Sequence, residues 1–282
     1  MVDMKIRLGI NHGYKYEESK GVGFYSIPDF NSAGLINCFS TRIGGISISP
    51  YDSLNLSLTR PTSFSKESIR NYEILADALQ ISIKQLVIVN YCHGDGIQIV
   101  TEEDCGNGIL YPNKLKPCDA LITNCKQVAL TTIHADCSSY WIFDKRNDVI
   151  AACHAGWKGT LLRIGSKTIK RMSEVFGTKS SDCIVGIGPN IGYLNFEVDR
   201  PVAEMFNEEY PDVTDIIRYK EQDNKYLVDL TKCAIKQFTD TGVNIADITV
   251  AGLCTYADKQ HFFSYRRDGF KAGAMASILM IK

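Results

Sequence analysis

Three residues far apart in the chain, His93, Cys137 and His154, carry side chains suited to holding a metal ion, and each comes at the end of a short apolar run. His93 lies in NYCHGDG (90–96) after LVIVN, Cys137 in TTIHADCSSY (131–140) after VALTTI, and His154 in AACHAGWKGT (151–160) after VIAAC. Imidazole nitrogen and thiolate sulfur are preferred ligands of zinc, and three protein ligands with a fourth position open mark a catalytic rather than a structural site. A histidine in a turn is more often simply hydrogen-bonded. The argument for a site therefore rests on the threefold recurrence, because the separations match no short zinc-finger spacing.

Neighbouring residues compete for supporting roles. His134 lies three positions before Cys137; if the strand continues, period-2 alternation turns the two to opposite faces, which makes His134 a supporting or surface residue. Asp136 is placed either to accept the second N–H of a ligand histidine or to cap its own turn. GIGPNIGYLNFEVD (186–199) has glycines after an apolar run, but its spacing misses the dinucleotide-binding fingerprint. Arg266, in HFFSYRRDG (261–269), has the fork geometry that clamps phosphate. A cysteine hydrolase is a competing reading of the same residues, with Cys137 as nucleophile, His93 or His154 as base and Asp136 as orienter.

The elements that must position these groups are partly legible. Strands are expected at 36–40, 86–90, 128–133, 140–144, 149–153, 184–187, 248–252 and 276–281, where apolar and β-branched residues cluster. Helical spacing appears in Ile69, Tyr72, Leu75 and Leu79 after a Ser65 N-cap. It recurs in Leu162, Ile169, Met172 and Phe176 before Gly177, and in Leu230, Cys233, Ala234 and Phe238 before Gly242. A glycine-spaced turn after His154 leads into a helix near Thr160, whose unpaired N–H groups favour an anion. Mixed strands and helices point to α/β or α+β layers, and no linker or repeat divides the chain, so a single domain is expected.

The net charge of −1 gives no electrostatic reason to expect nucleic acid or a membrane surface as partner. No apolar stretch approaches the ~18 residues of a membrane span, and the N-terminus lacks a secretory core. The ten cysteines contain no C-x-x-C pair, so a reducing, cytoplasmic location is expected. Composition leaves the oligomeric state open, a monomer included. Five histidines in all are too few for a blue-copper site plus a histidine-rich copper cluster, so laccase chemistry is not expected.

The motifs FSTRIGGISISPYDSLNLSL (39–58), NYCHGDG, HADC, HAGWKGT, GPNIG with FEV, and CTY with FFSYRRDG fall in the order seen in the YfiH/YlmD-like laccase-domain family. The chain resembles that family from about Phe24 to the C-terminus, with residues 1–23 a poorly matched N-terminal extension. The resemblance implies one α+β domain with mixed β-sheets sandwiched by helices, and zinc held by His93, Cys137 and His154. It further implies a purine nucleoside phosphorylase acting on adenosine, inosine, guanosine or methylthioadenosine with phosphate, and adenosine deamination as a second reaction. Arg42, Lys158 and Arg266 are the cations expected to meet phosphate, and Asp136 is counted with the catalytic residues. One relative resembles an amide hydrolase that edits peptidoglycan precursors. The chain departs from the family pattern at Tyr91 and Cys92 (usually Gln and Val), Ser139 (often Pro), Lys158 (Arg) and Leu194-Asn195 (a Cys pair). None of these is a ligand position.

Overall fold

The computed structural model describes residues 13–58 and 66–282; the Ser65 cap and His12 lie outside them. The strands are β1 (Lys15–Ser19), β2 (Val22–Ser26), β3 (Leu35–Ser40), β4 (Leu86–Ile88), β5 (Ile97–Ile99), β6 (Ala120–Thr123), β7 (Ala129–His134) and β8 (Ser138–Asp144). They continue with β9 (Val149–Ala155), β10 (Cys183–Ile187), β11 (Glu197–Val198), β12 (Ile217–Lys220), β13 (Lys225–Val228), β14 (Ile248–Val250) and β15 (Met275–Ile281). The helices are α1 (Pro28–Ser32), α2 (Lys66–Ala78), α3 (Trp157–Leu161), α4 (Ile164–Phe176), α5 (Arg200–Glu209), α6 (Leu230–Asp240) and α7 (Tyr265–Asp268).

Two six-stranded mixed sheets form the centre, in the orders β1-β2-β3-β15-β7-β4 and β14-β10-β8-β9-β6-β5, and β11-β13-β12 make a small third sheet. Pairing is antiparallel in the first sheet except for β4 with β7, and in the second except for β10 with β14 and β5 with β6. The fold is α+β, as expected, and all eight anticipated strands are present.

Side-chain alternation explains how the sheets stack. On β8, Trp141 and Phe143 enter the core between the two sheets with Phe39, Leu130, Met275 and Leu279, while Tyr140 and Ile142 face α4 and α6 with Ile169, Met172 and Phe238. Both faces of β8 are thus buried, which is why its central residues Tyr140–Phe143 form a continuous apolar run instead of alternating with polar residues. On the outer face of the first sheet, α2 places Tyr72 and Leu75 against Cys38, Ile278 and Met280. The order is helix, sheet, sheet, helix.

The stripe from Leu162 to Phe176 is not one helix. Arg163 takes a left-handed conformation (φ 56°) and separates α3 from α4, and the chain turns helical at Trp157, before the expected Thr160. The Arg163 guanidinium pairs with Glu209 and, at 2.9 Å, with Asp240. Gly177 ends α4 in the left-handed conformation, as its position predicts. No helix among the described residues is long and apolar enough to cross a membrane.

Candidate metal centre

The site lies where the chain passes from one sheet to the other. β7 belongs to the first sheet and β8 to the second, and residues 135–137 bridge them, so Cys137 sits in the crossing. His154 is the penultimate residue of β9, directly beside β8, where it pairs with Ser139. His93 stands in the loop between β4 and β5, five residues beyond the end of β4. The donor atoms of His93, Cys137 and His154 all lie within 4.8 Å of one another, and this is the one such group among the described residues. Around a single ion with bonds of ~2.0–2.3 Å, neighbouring donors sit roughly 3.5 Å apart. The three side chains need to close by only about 1 Å.

Two backbone positions show how firmly the donors are set. His93 (φ 58°) and Asp136 (φ 86°) both occupy the left-handed region that non-glycine residues avoid, a strain that persists where surrounding structure dictates it. Gly156 follows His154 closely, and a Cβ there would stand 3.3 Å from Cys137 Sγ and 3.5 Å from His93 Cδ2. The missing side chain leaves the donors their space, so the residues fit a metal ion both by donor chemistry and by room.

The carboxylate that holds the His154 imidazole is Asp119, not Asp136. His154 Nδ1 lies 2.9 Å from Asp119 Oδ1. The same carboxylate accepts the backbone N–H groups of Cys92, His93 and Gly94 at 3.2, 3.1 and 2.7 Å. Asp136 instead accepts from the Thr255 hydroxyl (2.6 Å), the Ser264 hydroxyl (2.9 Å) and the Arg266 N–H (2.7 Å). It anchors the Cys137 crossing to the segment carrying Tyr265 and Arg266. Asp119 directly precedes the run ALIT, at the start of a strand rather than toward its end as the donors are, so the placement that marks the donors does not single it out.

His134 is buried rather than at the surface. Its Nδ1 donates to the Cys137 carbonyl at 3.0 Å, so Nε2 accepts from the Thr132 hydroxyl at 2.7 Å. Burial first, and the charge of His154 second, push its pKa well down, which keeps it neutral.

Charge is concentrated in the centre. Desolvation pushes the Cys137 thiol up, but the charge of His154 and hydrogen bonds to both histidines outweigh it, and the thiol is lowered to about 7. Desolvation likewise opposes protonation of His154, and the Cys137 and Asp119 charges overcome it, raising the imidazole to about 9. Asp119 is held well below the usual carboxylate range: its desolvation is outweighed by the His154 and Gly94 hydrogen bonds. The thiolate is the metal-binding and nucleophilic form of cysteine.

A cavity of about 590 Å³ opens onto the three donors, walled by Tyr91, Ile133, Tyr265 and Phe270. A second of about 270 Å³, lined by Trp157, Phe196 and Arg266 among others, shares Ala135, Cys137 and Tyr265 with it. Arg266 thus borders the site, its Nη1 bonded to the Glu197 carbonyl at 3.0 Å. Arg42 lines neither cavity; it bonds the Asp52 carbonyl at 2.7 Å and lies over the Phe263 ring. Lys158 is exposed, over the Trp157 ring at 5.5 Å, and lines neither cavity. The cavity walls Tyr265 and Phe270 escaped the sequence reading, since nothing in a lone aromatic residue distinguishes a wall from a core.

Residues 36–282 match the family described as multi-copper polyphenol oxidoreductase laccase. The chain is 32% identical over 253 residues to the purine nucleoside phosphorylase YlmD of Bacillus subtilis, spanning 89% of this chain and 90% of that protein. It is 31% identical over 267 residues to a purine nucleoside phosphorylase of Bacteroides thetaiotaomicron, spanning 94% and 97%. The crystal structure of YlmD from Geobacillus stearothermophilus matches with a TM-score of 0.89 at 27% identity, covering 96% of this chain and 99% of that one. In sequence, fold and the order of its motifs, this chain belongs to the multi-copper polyphenol oxidoreductase laccase family, in the group that includes YlmD and YfiH.

Proposed function

We propose that the protein is a zinc-dependent purine nucleoside phosphorylase acting on adenosine, inosine, guanosine or methylthioadenosine, with adenosine deamination as a second activity. The observation that carries this reading is the gathering of His93, Cys137 and His154 at the floor of a cavity large enough for a nucleoside, in a chain whose relatives bear the phosphorylase name. A divalent ion held there supplies Lewis acidity and a template for an anionic nucleophile.

The chain's own residues supply the rest. Tyr91, Tyr265 and Phe270 offer aromatic faces to a purine. Arg266, at the junction of the two cavities, is the best placed of the three expected cations to meet phosphate; Arg42 and Lys158 would need to reach in from elsewhere. In phosphorolysis a phosphate oxygen bonds to ribose C1′ as the C–N bond breaks, and the purine leaves with the bonding electrons and takes up a proton. Holding both reactants beside one another is the main contribution asked of the cavity.

A second reading is favoured by one specific observation: Asp119, His154 and Cys137 form a carboxylate, imidazole and lowered thiol in contact order, the arrangement of a cysteine nucleophile. Amide hydrolysis of a peptidoglycan precursor is that alternative, with Asp119 taking the orienting role expected of Asp136. Incubating zinc-loaded protein with adenosine, with and without phosphate, separates the cases. Adenine and ribose-1-phosphate formed only with phosphate support phosphorolysis, and inosine formed without it supports deamination. No product in either arm overturns the proposal, and amide hydrolysis by metal-free protein that thiol alkylation abolishes establishes the alternative.

A further inference from the structure

Asp119 touches both segments that carry histidine donors. Its Oδ1 lies 3.1 Å from the His93 N–H and 2.9 Å from His154 Nδ1. Its Oδ2 lies 3.2 Å from the Cys92 N–H, 2.7 Å from the Gly94 N–H and 3.1 Å from Cys92 Sγ. Its backbone carbonyl accepts the His154 N–H at 2.7 Å. One fully buried residue at the head of β6 thus joins the 92–94 loop, which holds a left-handed residue, to the end of β9.

We propose that Asp119 is the positioning residue of the centre, holding His154 by Nδ1 so that Nε2 is the nitrogen turned to the metal, and locking the His93 loop to it before the metal arrives; the proposal rests on reading the three donors as a metal site. The chemistry is one of donors and acceptors. An ionised carboxylate only accepts, so His154 Nδ1 keeps its proton, and Nε2 is the nitrogen whose lone pair is available for ligation once the metal takes the place of any proton there. Asparagine has the same shape but cannot replace it in either orientation. With its NH2 in place of Oδ1, it meets the His93 N–H and drives His154 to the Nε2–H tautomer, which cannot bind. With its NH2 in place of Oδ2, it faces the Cys92 and Gly94 N–H groups, and the loop is released.

The test compares zinc affinity, by competition with a chromophoric chelator, in wild type, Asp119→Asn and a control, Asp144→Asn. Asp144 is also a fully buried carboxylate accepting backbone N–H groups, at the opposite end of β8. Loss of such an outer partner lowers metal affinity about 10–100-fold, and that loss is expected for Asp119→Asn, with a weakened thiolate-to-metal band in its cobalt form. Asp144→Asn is expected to melt lower yet bind zinc as wild type does. Equal affinity in wild type and folded Asp119→Asn overturns the proposal alone; a wild type that takes up no zinc overturns the metal-site reading and the proposal with it. Nitrogen-15 NMR of the zinc-loaded wild type decides independently of whether the variant folds. Protonated Nδ1 and metal-bound Nε2 on His154 are expected, and the reverse contradicts the proposal.

Discussion

Cys137 occupies a three-residue passage between two sheets, and its supports come from beside it in sequence: His134, the last residue of β7, holds its carbonyl, and Asp136 within the passage holds the turn. The donors themselves could be read from the sequence, because their types are rare together and each follows an apolar run. The choice between Asp119 and Asp136 could not, since it depends on which sheet edge the carboxylate faces. Adjacency in sequence favoured Asp136, and the crossing between sheets turned it away from His154. Gly156 is a case where the structure adds a reason to a residue already noticed. Its φ of −71° suits any residue, so the constraint is space, and Gly156→Ala places a methyl 3.3 Å from Cys137 Sγ. Zinc affinity should fall several-fold by chelator competition while the melting temperature stays near that of the wild type. Unchanged affinity would show that the donors have more room than described.

Buried strands such as β8 and β9 are marked by the apolar runs YWIF and VIAAC, whereas β5 (IQI) is interrupted by Gln98, and β6 (ALIT) offers three apolar residues before Thr123, although it is no shorter than the anticipated β4 and β14. The break at Arg163 was also hidden, because its left-handed backbone is held by long-range pairing to Glu209 and Asp240 rather than by residue type. Behind the site, α4 and α6 pack on the second sheet through close contact. Phe238 lies edge-on to Tyr140 with ring centroids 5.3 Å apart, and a Cβ on Gly165 would stand 2.8 Å from its ring. Phe238→Ala leaves a cavity in this layer and should cost about 3–5 kcal/mol in denaturant unfolding. Zinc affinity of the folded protein should be unaffected, because Phe238 touches none of the donors. A loss under about 1 kcal/mol would mean that the helices carry little of the sheet's stability.

Taken whole, the molecule stacks helix, sheet, sheet and helix so that loops from both sheets meet at one edge, where His93, Cys137 and His154 form the cavity floor and aromatic residues its walls. Phe270, 86% exposed, lines this cavity edge-on to Tyr265 with ring centroids 6.0 Å apart. Base stacking on an aromatic face is worth about 1–3 kcal/mol, so Phe270→Ala should raise KM for purine nucleosides about five-fold or more with kcat little changed; an unchanged KM would place the base elsewhere. The central claim, that the His93, Cys137 and His154 centre holds the metal that purine nucleoside phosphorolysis requires, is tested most directly by measuring metal content and phosphate-dependent adenine release on the same samples of wild type and Cys137→Ala. The account predicts about one zinc per chain and adenine release in the wild type, with both lost together in the variant. Adenine release that persists in metal-free Cys137→Ala at the wild-type rate would contradict it.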